Sequence, residues 1–372
     1  MRERFFKNTR RLVVKIGTSV LESSGDLSNK AVERLAKDLA AVRSRNPKLE
    51  VILVSSGAIA CGMKLMGLRK RPAEVSKLQA LAAAGQPLLM QMYTQAFRAE
   101  GVKVAQILLT WEDLGSRKRF ENTRRTLAEI LAYGALPVVN ENDTVATEEI
   151  QFGDNDQLSA MVAMMVGADL LIILSDANGF YADVRAGEAS RIPVVDDLDA
   201  SIFDAVKDSR KDFSKGGMTS KLKAVAKATS SGIPCVVAGG KEKRVLSRLF
   251  SGEDLGTVFL PKFRKASTKK RWIAYISKPE GSLTVDDGAE VAICKRGKSL
   301  LAKGIVDMKG HFKAGDAVSV ENRASRVLGK GIINFSSAEL EKIKGLDSNR
   351  WSGVLGRPCM DEVMHRDNFV PV

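Results

Sequence analysis

The chain has 372 residues, of which 44% are hydrophobic and 27% are charged, proportions typical of a globular protein with one large and one small domain. Its formal net charge of +14 indicates affinity for anions, either phosphate-bearing ligands or nucleic acid. The two histidines are His311 and His365, which excludes histidine-based catalysis and HExxH zinc sites from the sequence before them.

Neither a targeting segment nor a membrane span is predicted. The N-terminal stretch MRERFFKNTRRLVVKIG contains no apolar core of signal-peptide length, and the longest apolar region, residues 159–174, is interrupted by Asp169. The four cysteines are scattered without a CxxC pair, so neither a disulfide framework nor a zinc site is indicated. We therefore expect a cytoplasmic protein that has no contact with a membrane and no metal ligated by its own side chains.

Short runs rich in β-branched residues alternate with longer helical patterns before residue 265. The runs are RLVVKIG, EVILVSSG, KVAQILLT, ALPVVNEND, DLLIILSD and IPCVVAGG, and helical patterns cover residues 28–46, 73–99, 116–133 and 155–167. Continuous apolar strands separated by helices predict a three-layer α/β sandwich whose central sheet is mainly parallel. Each run ends in polar residues or glycine, and ligands bind outside the carboxyl ends of the strands in such sheets. We expect the functional site along that edge.

A change in the sequence pattern near residue 265 predicts a second, smaller domain. The segment PKFRKASTKKR carries closely spaced cations and few residues to bury, which is typical of a linker or an exposed edge. The segments WIAYI, GSLTVDDGAEVAI, SLLAKGIVDMKG, FKAGDAVSVENR and LGKGIINF follow it and indicate short strands of a β-rich domain. The predicted domains are residues 1–265 and 266–372.

Two segments combine a lysine with glycines in a way that suits phosphate. In VVKIGTSVL, Lys15 lies near the end of an apolar strand and is followed by Gly17 and Ser19, so an ammonium and backbone N–H groups meet there. In KGGMTSKLKAVAKA, residues 215–228, glycines at a helix start precede Lys221, and unpaired N–H groups at a helix start favour an anion. A snorkelling strand lysine and a glycine-rich helix start are the alternative interpretations. Neither segment is a P-loop.

The segment SSGAIACG, residues 55–62, suits the acid group of a small substrate. It offers hydroxyls and a flexible Gly57 where a strand gives way to a helix. N-capping of that helix by Ser55 or Ser56 is the competing explanation.

The segment NENDTVATEEIQFGDNDQ, residues 140–157, is crowded with acidic residues. Like charges in one loop repel one another unless a cation lies among them. Asp154 or Asn155 suits the cap of the following helix, and the same loop is expected to face Lys15 and Lys221. We expect both roles together rather than capping alone.

Six segments in this order, VVKIGTSVL, VSSGAIACG, VVNENDTVAT, FGDNDQLSA, LLIILSDANGFY and KGGMTSKLKAV, resemble the amino-acid kinase family. The tail LLAKGIVDMKGHFKAGDAVSV with GKGIINFSSAEL resembles a PUA domain. The resemblance implies ATP-dependent phosphorylation of the side-chain carboxylate of L-glutamate to glutamyl 5-phosphate, the first step of proline biosynthesis. Such a carboxylate has an ordinary pKa of about 4.3 and is ionised at neutral pH, so no general base is required.

The resemblance also implies roles for individual residues. Lys15 and Lys221 would stabilise the transferring phosphoryl group, and Asp156 would orient the two lysines. The other residues implied to bind ATP are Gly17, Ser19, Ser175, Asp176, Lys215, Gly216, Gly217, Met218, Thr219 and Ser220. Those implied to bind the substrate are Ser56, Gly57, Asp143 and Asn155, with Asp143 suited to the α-ammonium. Mg²⁺ would be carried on the phosphates of ATP.

Self-association, feedback inhibition by proline through the 143–156 loop and hand-over to glutamyl-phosphate reductase are further expectations from the resemblance. Lys215 stands where a small hydroxyl residue is common in the family, and Gln151 where a lysine can occur, so ATP affinity or regulation could differ. Family members acting on aspartate, acetylglutamate, carbamate or UMP would share the lysines and the sheet. A basic protein with a PUA domain could instead act on RNA, although the chain has only 6% aromatic residues for base stacking.

Overall fold

The computed structural model describes residues 2–23, 26–146, 155–181, 190–198, 217–261 and 267–371. The chain divides into two compact units, Met1–Asp113 with Glu121–Lys265, and Leu114–Phe120 with Ala266–Val372. The boundary predicted between residues 265 and 266 lies outside the described residues and stays a prediction. Among the described residues, no helix combines the length and the apolar composition that crossing a membrane requires.

The elements before residue 262 are numbered here in chain order. The helices are α1 Arg2–Lys7, α2 Thr18–Leu21, α3 Asn29–Arg45, α4 Ala58–Leu65, α5 Val75–Ala99, α6 Trp111–Gly115, α7 Arg117–Ala132, α8 Asn155–Val166, α9 Met218–Ser230 and α10 Val245–Phe250. The strands are β1 Arg11–Ile16, β2 Glu22–Ser23, β3 Asp26–Leu27, β4 Glu50–Ser55, β5 Val104–Leu109, β6 Leu136–Glu141, β7 Leu170–Ser175, β8 Val194–Val195, β9 Cys235–Gly239 and β10 Thr257–Phe259.

The central sheet of the first unit is mainly parallel, as the sequence predicts. Its eight described strands lie in the order β5-β6-β4-β1-β7-β9-β10-β8, and the β10–β9 pair is antiparallel. Strands β1, β4, β6 and β7 are buried along almost their whole length because helices cover both faces.

The two faces of the sheet are covered differently. On one face, α3 buries Val32, Leu35 and Leu39, whose spacing forms one apolar stripe against the sheet. On the other face, α8 packs against β1, β4, β6 and β7 and against α9. Residues 158–166 of α8 are all buried, which is the pattern of a helix enclosed on every side.

The carboxyl ends of the parallel strands meet at one edge of the sheet. Ile16 of β1 is in register with Ser55 of β4 and with Leu174 of β7. Ser175 of β7 is in register with Gly239 of β9. The loops and helix starts that follow these strands therefore converge on the edge where the sequence predicts the site.

The second unit contains a sheet of five described strands in the order β12-β11-β13-β14-β15. Its strands are β11 Gly281–Val285, β12 Ile305–Gly310, β13 Ala317–Asn322, β14 Val327–Ile332 and β15 Phe369–Pro371. Its helices are α11 Thr268–Arg271, α12 Asp287–Glu290, α13 Ser337–Ile343 and α14 Trp351–Leu355, and the π-helical turns are Trp272–Ile276 and Val291–Lys295. The predicted β-rich character of this part is confirmed.

The prediction of a strand at WIAYI is wrong. Residues Trp272–Ile276 continue the helix α11 as a π-helical turn. Trp272, Ile273 and Ile276 are buried, which fits a helical spacing. A run of only five residues, mostly apolar and aromatic, does not distinguish a helix from a strand. The Trp272 ring nitrogen donates to the carbonyl of Leu114 at 2.9 Å, which satisfies the polar atom of this buried side chain.

Candidate functional site

A buried carboxylate lies between two lysines at the carboxyl edge of the sheet. Lys15 Nζ lies 2.5 Å from Asp156 Oδ1, and Lys221 Nζ lies 3.3 Å from Asp156 Oδ2. The three side chains are 5%, 9% and 0% exposed for Lys15, Lys221 and Asp156 respectively. Two ammonium groups and one carboxylate carry a net charge of +1, so the cluster suits an additional anion.

Three elements bring this cluster together. Successive side chains of β1 point to opposite faces of the sheet. Val14 and Ile16 pack into the core beside α3, whereas Lys15 points to the face that α8 covers. Asp156 is in the first turn of α8, where a carboxylate interacts favourably with the helix dipole. Lys221 is in the first turns of α9, which packs beside α8.

Two glycines lie beside the cluster. A side chain on Gly17 would place its Cβ 3.7 Å from Lys15 Nζ and 3.7 Å from Ser19 Oγ, so these three residues adjoin one another. Gly217 precedes the first residue of α9 and caps it with an extended backbone. A hydrogen bond of 3.3 Å from Gln157 Nε2 to the Ser220 carbonyl links the starts of α8 and α9. The starts of α2 and α9 thus flank the two lysines.

The predicted substrate residues Ser56 and Asn155 lie in contact. Asn155 Nδ2 lies 2.5 Å from the Ser55 carbonyl oxygen, 2.7 Å from Asn140 Oδ1 and 3.2 Å from Ser56 Oγ. Because Ser56 Oγ accepts from Asn155, its own hydrogen remains available to donate to a ligand carboxylate. Gly57 precedes α4 with a φ of 116°, in the left-handed region that a glycine adopts without strain.

Asp143 follows β6 and is half-buried. Burial raises the pKa of its carboxyl from 3.8 to about 6, and the nearby Arg71 partly opposes that rise. Because burial makes ionisation of this carboxyl unfavourable in the free protein, a cation that binds beside it, such as the ammonium group of a ligand, would stabilise its ionised form.

The residues at the end of β7 are arranged differently from the lysine cluster. Ser175 is buried and its hydroxyl is used in its own turn, where it accepts from the Ala177 N–H at 3.0 Å and donates to the Ala177 carbonyl at 3.2 Å. Asp176 is exposed. The Ser175 carbonyl accepts from the Gly240 N–H at 2.7 Å, so this turn is tied to the end of β9.

Two of the predicted ATP-binding residues, Lys215 and Gly216, lie outside the described residues, as do Gln151 and Asp154. The remaining ones, Met218, Thr219 and Ser220, form the first turn of α9 and are half-buried.

Two amides that were not predicted from the sequence lie behind the candidate substrate residues. Asn140 Nδ2 donates to Gln86 Oε1 at 2.8 Å, and both side chains are buried. The signal for Asn140 was its place in the polar end of β6. Gln86 had a weaker signal, a single amide within the apolar stretch LAAAGQPLLM of α5.

The fold and the lysine–aspartate cluster define a kinase of the amino-acid kinase class. The model of the amino acid kinase family matches residues 10–239, and that of the PUA domain matches residues 281–355.

Curated relatives show to which family within this class the chain belongs. A glutamate 5-kinase from Carboxydothermus hydrogenoformans is 46% identical over 376 residues and covers 100% of both chains. Glutamate 5-kinases from Caldanaerobacter subterraneus and Moorella thermoacetica are 44% and 43% identical, covering 97% of this chain and 97% and 96% of those proteins. The chain belongs to the glutamate 5-kinase family.

Proposed function

We propose that this protein transfers the γ-phosphoryl group of ATP to the side-chain carboxylate of L-glutamate, which yields glutamyl 5-phosphate, the first intermediate on the route to proline. The observation that carries the proposal is the Asp156 carboxylate held between the ammonium groups of Lys15 and Lys221. The similarity to glutamate 5-kinases over the full length of the chain supports the choice of glutamate.

The reaction needs positioning and charge neutralisation rather than proton transfer. An oxygen of the ionised substrate carboxylate forms a bond to the γ-phosphorus. The bond from that phosphorus to the β–γ bridging oxygen breaks, and ADP leaves with the electron pair. Lys15 and Lys221 stabilise the negative charge on the transferring group and on the leaving oxygen, and Asp156 keeps the two ammonium groups apart and aimed.

The remaining candidate residues divide between the two substrates. Ser56 and Asn155 bind glutamate beside Gly57, and the Asp143 carboxylate pairs with its α-ammonium. The nucleotide phosphates lie against Gly17, Ser19 and residues 217–221, and Ser175 with Asp176 lies toward the nucleoside.

An ATP-using kinase requires a divalent metal, and we propose Mg²⁺. Among the described residues there is no group of three or more His, Cys, Asp or Glu side chains that could hold a metal ion. We expect the ion to be carried by the phosphates of ATP, where it neutralises their charge.

The test is ATP turnover by the purified protein with L-glutamate and hydroxylamine, which traps an acyl phosphate as the hydroxamate. Aspartate, N-acetylglutamate, carbamate and UMP serve as alternative acceptors. We expect product with glutamate and not with the others. Product with a different acceptor, or with none, contradicts the proposal.

The second unit supports RNA binding as a second candidate function. A cavity of about 760 Å³ in this unit is lined by the cations Lys298, Lys303 and Arg366, by Asp286 and His365, and by apolar residues that include the exposed Leu301. Cations beside apolar surface suit the phosphates and bases of single-stranded RNA. A gel-shift titration at low salt should show a complex that weakens as salt rises and when Lys298 and Arg366 are replaced by alanine. No complex with the full-length protein at low salt contradicts this candidate.

We further propose that the protein acts in the cytoplasm as a homo-oligomer, is inhibited by proline and delivers its product to glutamyl-phosphate reductase. Light scattering after gel filtration tests the oligomer, and addition of proline to the hydroxamate assay tests inhibition. Coupled turnover with the reductase, challenged by a trap for free acyl phosphate, tests delivery.

A further inference from the structure

A line of side-chain amides runs from the candidate substrate site to the edge of the sheet. Asn155 Nδ2 donates to Asn140 Oδ1 at 2.7 Å, and Asn140 Nδ2 donates to Gln86 Oε1 at 2.8 Å. Gln86 Nε2 then donates to Gln106 Oε1 at 3.0 Å. Gln106 is exposed on the edge strand β5, whereas the other three side chains are buried. Each amide donates toward the sheet edge, so the line has one direction.

Backbone groups fix this direction at two points. The Ser55 carbonyl can only accept, and its oxygen lies 2.5 Å from Asn155 Nδ2. The Glu141 N–H can only donate, and its nitrogen lies 2.9 Å from Asn140 Oδ1. Reversal of either amide would bring two donors or two acceptors together in a buried place, which is costly. The nitrogen of Asn155 therefore faces the protein, and the group that Asn155 offers to a ligand is its carbonyl oxygen.

We propose that Gln86 is a positioning residue that holds the Asn140 and Asn155 amides in this orientation and thereby makes the site prefer a ligand with an ammonium group. The inference rests on the proposed function and adds to it the origin of selectivity at the α-carbon. An amide oxygen accepts from an ammonium group and gains nothing from a methylene group.

Gln86 acts through Asn140 because it supplies the acceptor for Asn140 Nδ2. Asn140 is 2% exposed, so without Gln86 its N–H groups have little access to water and the amide turns toward another acceptor. Asn155 then loses the oxygen that holds its nitrogen at 2.7 Å.

The test compares two ligands that differ only at the α-carbon. L-Glutamate carries an ammonium group there, and glutarate carries two hydrogens. In Gln86→Met we expect the KM for glutamate to rise about tenfold, while the Ki of glutarate as a competitive inhibitor, the KM for ATP and kcat stay at wild-type values. Gln91→Met, an exposed glutamine on the same helix, is the matched control and should change none of them. Gln86→Glu retains an acceptor for Asn140 Nδ2 and should retain the wild-type selectivity.

An unchanged ratio of glutamate KM to glutarate Ki in folded Gln86→Met overturns the inference. So does an equal loss of both ligands, because that result indicates general packing. If Gln86→Met does not fold, Gln86→Ser, which is too short to reach Asn140, takes its place in the same comparison. Absence of hydroxamate from the wild-type protein would overturn the proposed function instead, and calorimetric binding of glutamate and glutarate would still test the amide line.

Discussion

Replacement of Lys221 by methionine tests the role of the lysine–aspartate cluster in phosphoryl transfer. The Lys221 ammonium lies 3.3 Å from Asp156 Oδ2, and its side chain is 9% exposed. Methionine is an unbranched side chain of similar length, so the change removes the charge with little effect on packing. Asp156 keeps the Lys15 ammonium at 2.5 Å, so the buried carboxylate retains a counter-charge.

The expected loss is in turnover rather than in folding. Removal of one preorganised group that stabilises transition-state charge lowers kcat by about 10²- to 10³-fold, which corresponds to about 2.7–4 kcal/mol. Lys15 and the metal ion still neutralise part of the charge, so we expect residual activity above background. The KM for glutamate should change much less, because we propose that Lys221 contacts the phosphoryl group and not the groups on the α-carbon of glutamate.

The assay is hydroxamate formation under saturating ATP and glutamate, with thermal unfolding measured on the same samples. Lys223→Met is the matched control, because Lys223 is exposed on the same helix α9. A folded Lys221→Met variant that keeps kcat within about threefold of the wild-type value would refute the assignment of Lys221.

Three further predictions follow from the same geometry. Asp156→Asn removes the negative charge between two buried ammonium groups, so it should lower the free energy of unfolding by about 3–5 kcal/mol in denaturant titrations. Added ATP should restore part of the lost stability. An unchanged unfolding midpoint would contradict this prediction. Asp143 has a pKa of about 6, so kcat/KM for glutamate should fall as pH drops below 6, because the protonated carboxyl no longer attracts an ammonium group. This fall should be absent in Asp143→Asn. That variant should have a raised KM for glutamate and an unchanged KM for ATP at every pH. Gly85→Ala would place a Cβ 1.9 Å from the Ala58 carbonyl oxygen, so it should push α4 away from α5. The free energy of unfolding, measured in the same titrations, should fall by about 1–3 kcal/mol. The control Ala84→Ser on the same helix should leave it nearly unchanged.

The sheet and the helices around it could be predicted because their signals are local. Continuous apolar runs marked the buried parallel strands, and the patterns over residues 28–46, 73–99 and 155–167 correspond to helices at Asn29–Arg45, Val75–Ala99 and Asn155–Val166. Lys15 stood out because a lysine near the end of an apolar strand, followed by Gly17 and Ser19, suits phosphate. The helical turn at WIAYI was mistaken for a strand because five apolar residues fit both periods.

The contacts that orient the candidate substrate residues could not be predicted in the same way. The hydrogen bond from Asn140 to Gln86 joins residues 54 apart in sequence, and the bond from Gln86 to Gln106 joins residues 20 apart. Such pairs depend on how a helix is seated on a sheet, which no short sequence pattern specifies. The Ser175 hydroxyl is a similar case, because its use within its own turn depends on the backbone path after β7.

We propose that the glutamate carboxylate attacks the γ-phosphorus beside Lys15, Asp156 and Lys221. Glutamate labelled with ¹⁸O in its side-chain carboxylate tests this most directly, with hydroxylamine present to cleave the acyl phosphate at its carbonyl carbon. We expect one ¹⁸O atom in each inorganic phosphate released, at a rate that falls in Lys221→Met together with hydroxamate formation. Phosphate released without ¹⁸O would contradict it, because the carboxylate would then not have been the nucleophile.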